Sequence, residues 1–139
     1  MAPTSVFKNL QSQTVADLDT VSKKFVNGYP LSGHPNQQWI LEHDHDDYYF
    51  IKNAGFGEYL SIEGDLNKPH DGTRVIGSAQ KQSWKVTTDS SPTHRRIFYR
   101  NTQFVVDLDR GLAAPGTPIQ LWTSGGTPNQ AWIFESASI

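Results

Sequence analysis

The chain has 139 residues, a length for one domain over 1–139. With 12 Lys plus Arg against 14 Asp plus Glu and a net charge of −2, it lacks the basic excess of a nucleic-acid binder. Cysteine is absent, which excludes disulfide scaffolds, Cys-ligated zinc or iron–sulfur sites and thiol catalysis. No apolar run approaches the ~20 residues that span a bilayer, and the start, Met1-Ala2-Pro3-Thr4-Ser5, carries neither the basic nor the apolar part of a secretory signal. A soluble cytoplasmic protein without membrane insertion is expected, with release by a non-classical route left open.

Short apolar pieces separated by Gly, Pro, Asn and Ser run through the whole chain, the pattern of many strands and turns. The stretch 5–48 opens with Phe7-Lys8-Asn9, continues through Val15-Ala16-Asp17-Leu18 and a loop at residues 20–28, and resumes at Gly28-Tyr29-Pro30-Leu31. It closes on Asn36-Gln37-Gln38-Trp39 and the run His43-Asp44-His45-Asp46-Asp47. Two histidines two apart face one side of a strand, but a metal would need a further fixed ligand with its own support. A solvated junction is expected there. The stretch 49–94 carries Ile51-Lys52-Asn53, Tyr59-Leu60-Ser61-Ile62, Gly72-Thr73-Arg74-Val75 and Lys81-Gln82-Ser83-Trp84. The stretch 95–139 carries Tyr99-Arg100-Asn101, Val105-Val106-Asp107-Leu108, Gly116-Thr117-Pro118-Ile119 and Asn129-Gln130-Ala131-Trp132.

These are three copies of one unit. The tryptophans of Gln-x-Trp stand 45 and 48 residues apart, and each follows its copy's Asn by 30, 31 and 31 residues. A unit of this length buries too little apolar surface to fold alone. Three units sharing one core, with Trp39, Trp84 and Trp132 pointing into it, predict an all-β chain of about four strands per repeat: a β-trefoil of repeats 5–48, 49–94 and 95–139 around a pseudo-threefold axis.

Three Gln-x-Trp repeats of this size resemble the ricin B-chain type of β-trefoil lectin. The ending Asn129-Gln130-Ala131-Trp132-Ile133-Phe134-Glu135-Ser136 is similar to cysteine-free mushroom lectins of that family. The resemblance implies a sugar pocket made of an Asp at the end of the second strand, a Gln-x-Trp tract beyond it, and the Asn before the structural Gln. The third repeat matches at Asp107, Gln120, Trp122, Asn129 and Gln130. Trp122 is then either a platform for the C–H face of a hexose or an aromatic packed on a strand. Asp107 is then either an acceptor of charge-assisted hydroxyl bonds or a turn cap, and Asp109 competes with it because both copies read Asp-Leu-Asp. The family favours galactose or N-acetylgalactosamine.

The first repeat offers a weaker second site at Asp17, His34 and Asn36, with Ser32 in place of the Gln, His34 in place of the Trp, and a shorter loop before Asn36. The second repeat reads Ser61, Ile76, Ser78 and Lys81 at the same places, so no pocket is expected there. No cofactor and no catalysis are expected: the chain has no Gly-x-Ser-x-Gly or His-Glu-x-x-His, and Gly55-Phe56-Gly57 lacks the third Gly of a nucleotide loop. The partners implied are glycans or glycoproteins, met with useful strength through longer glycans or a homodimer. The chain also resembles fungal β-trefoil protease inhibitors of the mycocypin and cocaprin type. For that reading the loop holding Lys23, Lys24, Phe25, Val26, Asn27 and Gly28 is the candidate contact with proteases. Either role, by analogy with the family, is defensive.

Overall fold

The computed structural model describes residues 3–137; residues 1–2, before the first repeat, and residues 138–139, the end of the third, lie outside the described residues. Twelve strands follow one another: β1 (Ser5–Asn9), β2 (Val15–Leu18), β3 (Val26–Tyr29), β4 (Trp39–His45), β5 (Tyr48–Asn53), β6 (Tyr59–Ile62), β7 (Val75–Ser78), β8 (Trp84–Thr88), β9 (Arg95–Tyr99), β10 (Phe104–Leu108), β11 (Thr117–Thr123) and β12 (Trp132–Ser136). Four strands fall in each repeat, as the turn spacing predicts. Among the described residues no helix is long and apolar enough to cross a membrane.

Six strands close a barrel. The last strand of each repeat pairs with the first strand of the next: β4 with β5, β8 with β9, and β12 with β1. Each last strand also begins beside the first strand of its own repeat, through Ser5–Trp39, Tyr49–Trp84 and Arg95–Trp132. The ring is thereby complete and leaves no open edge. The other six strands form three hairpins, β2–β3, β6–β7 and β10–β11, that cap one end. They meet through equivalent residues: Phe25 opposite Ile76, Arg74 opposite Gln120, and Pro118 opposite Asn27.

The core repeats in the same threefold way. Trp39, Trp84 and Trp132 are buried, and each indole Nε1 donates to a strand carbonyl of its own hairpin: Ala16 at 3.1 Å, Leu60 at 3.0 Å and Val106 at 3.0 Å. Each ring thus buries a large apolar area and leaves no donor unpaired. Around them pack Leu18, Ile62, Leu108, Ile119 and Leu121. Gly28 lies in β3 because the side chain of Leu108 comes so close that an added Cβ would stand 2.8 Å from it. Arg74 sits half-buried where the hairpins meet, its guanidinium 2.7 Å from Asn27 Oδ1 and over the Phe25 ring.

Strand register corrects one of the sequence landmarks. Trp39 faces Asn53, Trp132 faces Asn9, and Trp84 faces Tyr99. Tyr99, not Asn101, is therefore the third copy of the Asn position, and Asn101 is an exposed turn residue with φ +56°. The chemistry changes with the residue. Asn9 and Asn53 each bind two turn amides through Oδ1 and donate through Nδ2 to the carbonyls of Asn129 and Asn36. The Tyr99 hydroxyl instead donates to Leu66 O at 2.7 Å.

Candidate functional site

In the third repeat β10 and β11 set Asp107 opposite Gln120 and Val105 opposite Trp122. Gln120 and Trp122 alternate along β11 with the buried Ile119 and Leu121 and therefore share the outer face of the hairpin. The 3₁₀ turn Pro128–Gln130 folds back over this face, its Pro fixing the first position. Asp107, only 4 % exposed, is held from three directions. Its Oδ2 accepts from Gln130 Nε2 at 2.9 Å and Asn129 Nδ2 at 3.2 Å, and its Oδ1 from Gln120 Nε2 at 3.3 Å. A carboxylate has about four acceptor positions, so Oδ1 keeps capacity for a further donor.

Each amide is itself oriented. Asn129 receives the Thr127 hydroxyl on Oδ1 at 2.6 Å and gives its second N–H to Leu108 O. Gln130 gives its second N–H to Thr123 O and receives Gly125 N–H on Oε1. Burial pushes the Asp107 carboxyl above its ordinary value of 3.8 and the neighbouring Asp109 adds to this, against the opposing pull of the Gln130, Gln120 and Asn129 amides. Trp122 stands at the mouth, 43 % exposed. Together with Arg110 these residues line a cleft of about 550 Å³. The cleft presents a flat aromatic surface, a buried anionic acceptor and fixed amides, which suit a small molecule with one C–H face and several hydroxyls. All five residues expected for this repeat, Asp107, Gln120, Trp122, Asn129 and Gln130, line it. Asp107 rather than Asp109 occupies the centre.

The first repeat is built the same way, with one correction to the expected residues. Register puts Asp17 opposite Asn27 and Val15 opposite Tyr29. The partners of Gln120 and Trp122 are therefore Asn27 and Tyr29, not Ser32 and His34. Nor is the loop before Asn36 shorter: seven positions separate Tyr29 from Asn36, as they separate Trp122 from Asn129. Ser32 matches Gly125, since its N–H binds Gln37 Oε1 at 2.8 Å. His34 is the exposed residue before the 3₁₀ turn Pro35–Gln37, in the place of Thr127. Gln37 Nε2 donates to Asp17 Oδ2 at 2.9 Å, and Asn36 Nδ2 donates to Leu18 O at 3.1 Å. Burial raises the Asp17 carboxyl above 3.8, opposed by the Gln37 and Asn36 amides. Asp17, Tyr29, His34 and Asn36 all line a cleft of about 670 Å³. One difference is chemical: Asn27 Oδ1 accepts from the Arg74 guanidinium, whereas Gln120 Nε2 donates to Asp107.

Tyr29 is the cleft residue the sequence reading missed; Asn27, named there only as a loop residue, takes the place of Gln120 in the strand register without lining the cleft. Counting back seven positions from each Pro-Asn-Gln turn finds Tyr29.

In the second repeat Ser61 faces Ile76 and Tyr59 faces Ser78, with no carboxylate and no aromatic at the two places. Lys81 lies over the Phe50 ring at 4.5 Å, and Gln82 takes its bond from Arg100 Nε at 2.7 Å. The segment named as an inhibitory loop divides. Val26 is buried in β3, Gly28 lies against Leu108, Asn27 holds Arg74, and Phe25 bridges to Ile76. Only the part from Thr20 to Lys24 projects, pinned by Asp19, which accepts Ser22 N–H at 3.0 Å, and by the Lys24–Glu63 pair at 2.7 Å. The histidines at the β4–β5 turn stack on tyrosines, His45 on Tyr48 and His43 edge-on to Tyr49, and no group of three or more metal-ligating side chains occurs among the described residues.

Solved structures share this architecture. The Macrolepiota procera ricin B-like lectin in complex with lactose is 32 % identical, aligns over 96 % of this chain and 95 % of its own, and superposes with a TM-score of 0.90. The Rhizoctonia solani agglutinin is 24 % identical over 98 % and 96 % of the two chains, TM-score 0.86. The designed threefold-symmetric protein ThreeFoil is 23 % identical over 95 % and 97 %, TM-score 0.87. These last two speak for the fold. No curated protein sequence matches the chain. Family matches at residues 2–78 and 35–122 together take in most of the sequence, and with the lectin likeness they establish that the chain belongs to the ricin-type β-trefoil lectin domain-like family.

Proposed function

We propose that this β-trefoil is a non-catalytic lectin that binds galactose-class sugars through the third-repeat cleft, with the first-repeat cleft as a second site of the same design. One observation carries the reading: a buried carboxylate, Asp107, held by three amides beside an exposed indole, Trp122. Burying a charge is costly unless it is paired or hydrogen-bonded, and an indole 43 % exposed leaves apolar surface in water. Both arrangements make sense as a prepared surface for a ligand. Galactose fits because its axial hydroxyl leaves one C–H face clear to lie on the ring while neighbouring hydroxyls reach Asp107 and Asn129. The likeness to a lectin in complex with lactose supports the same class.

A shallow pocket of this kind holds a monosaccharide at about millimolar Kd, or roughly −4 kcal/mol. Calorimetric titration with galactose and with lactose, beside a glycan array, tests the reading. The expected result is binding to two sites, one of them lost in Trp122→Ala. An unchanged glycan profile in that variant, or a wild-type chain that binds no glycan, overturns it.

A further inference from the structure

We infer that the first-repeat cleft extends past its sugar pocket into an apolar subsite, walled by Val21 and Phe56, that selects sugars carrying an apolar group beside the ring. This rests on the lectin reading and adds to it a difference between the two sites. The group is the methyl of an acetamido substituent or the hydrocarbon of an aglycone; the shared chemistry is a small apolar surface one bond or two away from a hydroxylated ring.

The two clefts share their inner ends and differ in their outer walls. Position four beyond the central aspartate is Val21 in the first repeat and Gly111 in the third. The turn behind each cleft comes from the next repeat around the barrel. It is bound through its second and third residues to an Asn: Gly55 and Phe56 to Asn53, Gln11 and Ser12 to Asn9. In the third repeat those turn residues are polar and do not line the cleft, and the Gln11 amide fills the space where a Cβ on Gly111 would lie. In the first repeat the corresponding residues, Gly55 and Phe56, line the cleft itself beside Val21, with the Lys23 ammonium 5.8 Å from the centre of the Phe56 ring. Val21 is 89 % exposed, and Val21, Gly55 and Phe56 line one continuous cleft with Asp17 and Asn36.

The wall is also fixed in place. Phe56 packs against the core and its N–H is held by Asn53 Oδ1 at 3.1 Å. Gly55 lets this turn press on the Pro35–Gln37 turn, since a Cβ there would stand 2.9 Å from Asn36 N. A sugar hydroxyl placed against an isopropyl group and a phenyl ring loses water and gains no bond, whereas a methyl or aryl group removes apolar surface from water on both sides.

The test uses the full chain carrying Trp122→Ala, which leaves the first cleft as the site measured, and four probes: methyl β-galactoside, phenyl β-galactoside, galactose and N-acetylgalactosamine. The expected result is about tenfold tighter binding of the apolar-bearing member of at least one pair. Preference within the methyl–phenyl pair identifies an aglycone subsite, and preference within the galactose pair an acetamido subsite. Adding Val21→Gly and Phe56→Ser, which copies the third-repeat residues at these places, is expected to abolish the preference, read as the ratio of affinities within each pair. Val21→Gly alone, at a surface position that does not threaten folding, is expected to reduce the preference about two- to threefold. Equal binding within both pairs, or a preference that survives Val21→Gly at full strength, overturns the subsite while leaving the lectin reading intact. Failure of all four probes, with wild-type chain also inert, overturns both.

Discussion

The first and third repeats keep a carboxylate, an aromatic ring and a Pro-Asn-Gln turn on the outside of a hairpin; the second keeps the hairpin and drops all three. What separates them lies partly outside the repeat that bears the cleft. The turns Pro35–Gln37 and Pro128–Gln130 are held from behind by Asn53 and Asn9, each on the first strand of the following repeat. The strand following the second repeat offers Tyr99 instead, and no 3₁₀ turn is found in that repeat among the described residues. A pocket in this fold is thus a joint product of two neighbouring repeats, and its loss is visible on both sides of the boundary.

The largest expected effect tests the shared frame. Trp39→Ala and Trp132→Ala each remove a buried indole and strand the carbonyl it served, costing about 3–5 kcal/mol; Trp84→Ala, in the repeat without a pocket, is expected to cost the same. Urea unfolding measures all three, and a markedly milder Trp84 variant would break the threefold equivalence of the core. Next comes the carboxylate. Asp107→Asn removes the charge-assisted acceptor and is expected to weaken the third site by about 1.5–3 kcal/mol, so that calorimetry counts one site in place of two. Asp17→Asn is expected to do the same to the first. Tyr29→Ala and Trp122→Ala should each cost their own site about 1–2 kcal/mol of stacking without lowering the melting temperature in the Trp122 case. His34→Ala, the smallest effect, should change first-site affinity by under about 0.5 kcal/mol, as expected for an exposed residue outside special features.

Acid gives a further contrast. Because burial raises the Asp107 carboxyl above 3.8 in the folded chain, the folded state binds that proton more tightly than the unfolded one between the two values. Its contribution to stability therefore falls as pH rises through that window and is regained on acidification. Sugar affinity moves the other way, since protonation removes the charged acceptor. Lowering the pH from neutral should thus weaken lactose binding before a free aspartate would titrate. The difference in unfolding free energy between wild type and Asp107→Asn should meanwhile shift in favour of wild type. A binding midpoint at or below 3.8 contradicts this.

Much of this was legible in the sequence. Gln-x-Trp is readable because the buried indole is large, obligatory and sits at a fixed place in each unit. Asp107, Trp122 and Asn129 were readable because their repeat carries every part of the pattern. The first repeat was misaligned because two glycines look alike and serve different ends. Gly116 adopts φ +88° in a turn, whereas Gly28 is in a strand to make room for Leu108. Matching one to the other moved the aromatic position from Tyr29 to His34. Tyr99 was hidden for a related reason: a hydroxyl bonded to Leu66 O does at long reach what a short amide does elsewhere, and no residue type announces that exchange.

The first and third hairpins pair with each other through Gly28–Thr117 and Asn27–Pro118, yet their clefts have no lining residue in common. If both clefts hold sugar as proposed, a lone molecule would tie together two separate strands of a sugar coat, or two coated surfaces. On that reading cross-linking would need no dimer, and Ser61, standing in the second repeat where the other two carry aspartate, would hold the valence at two.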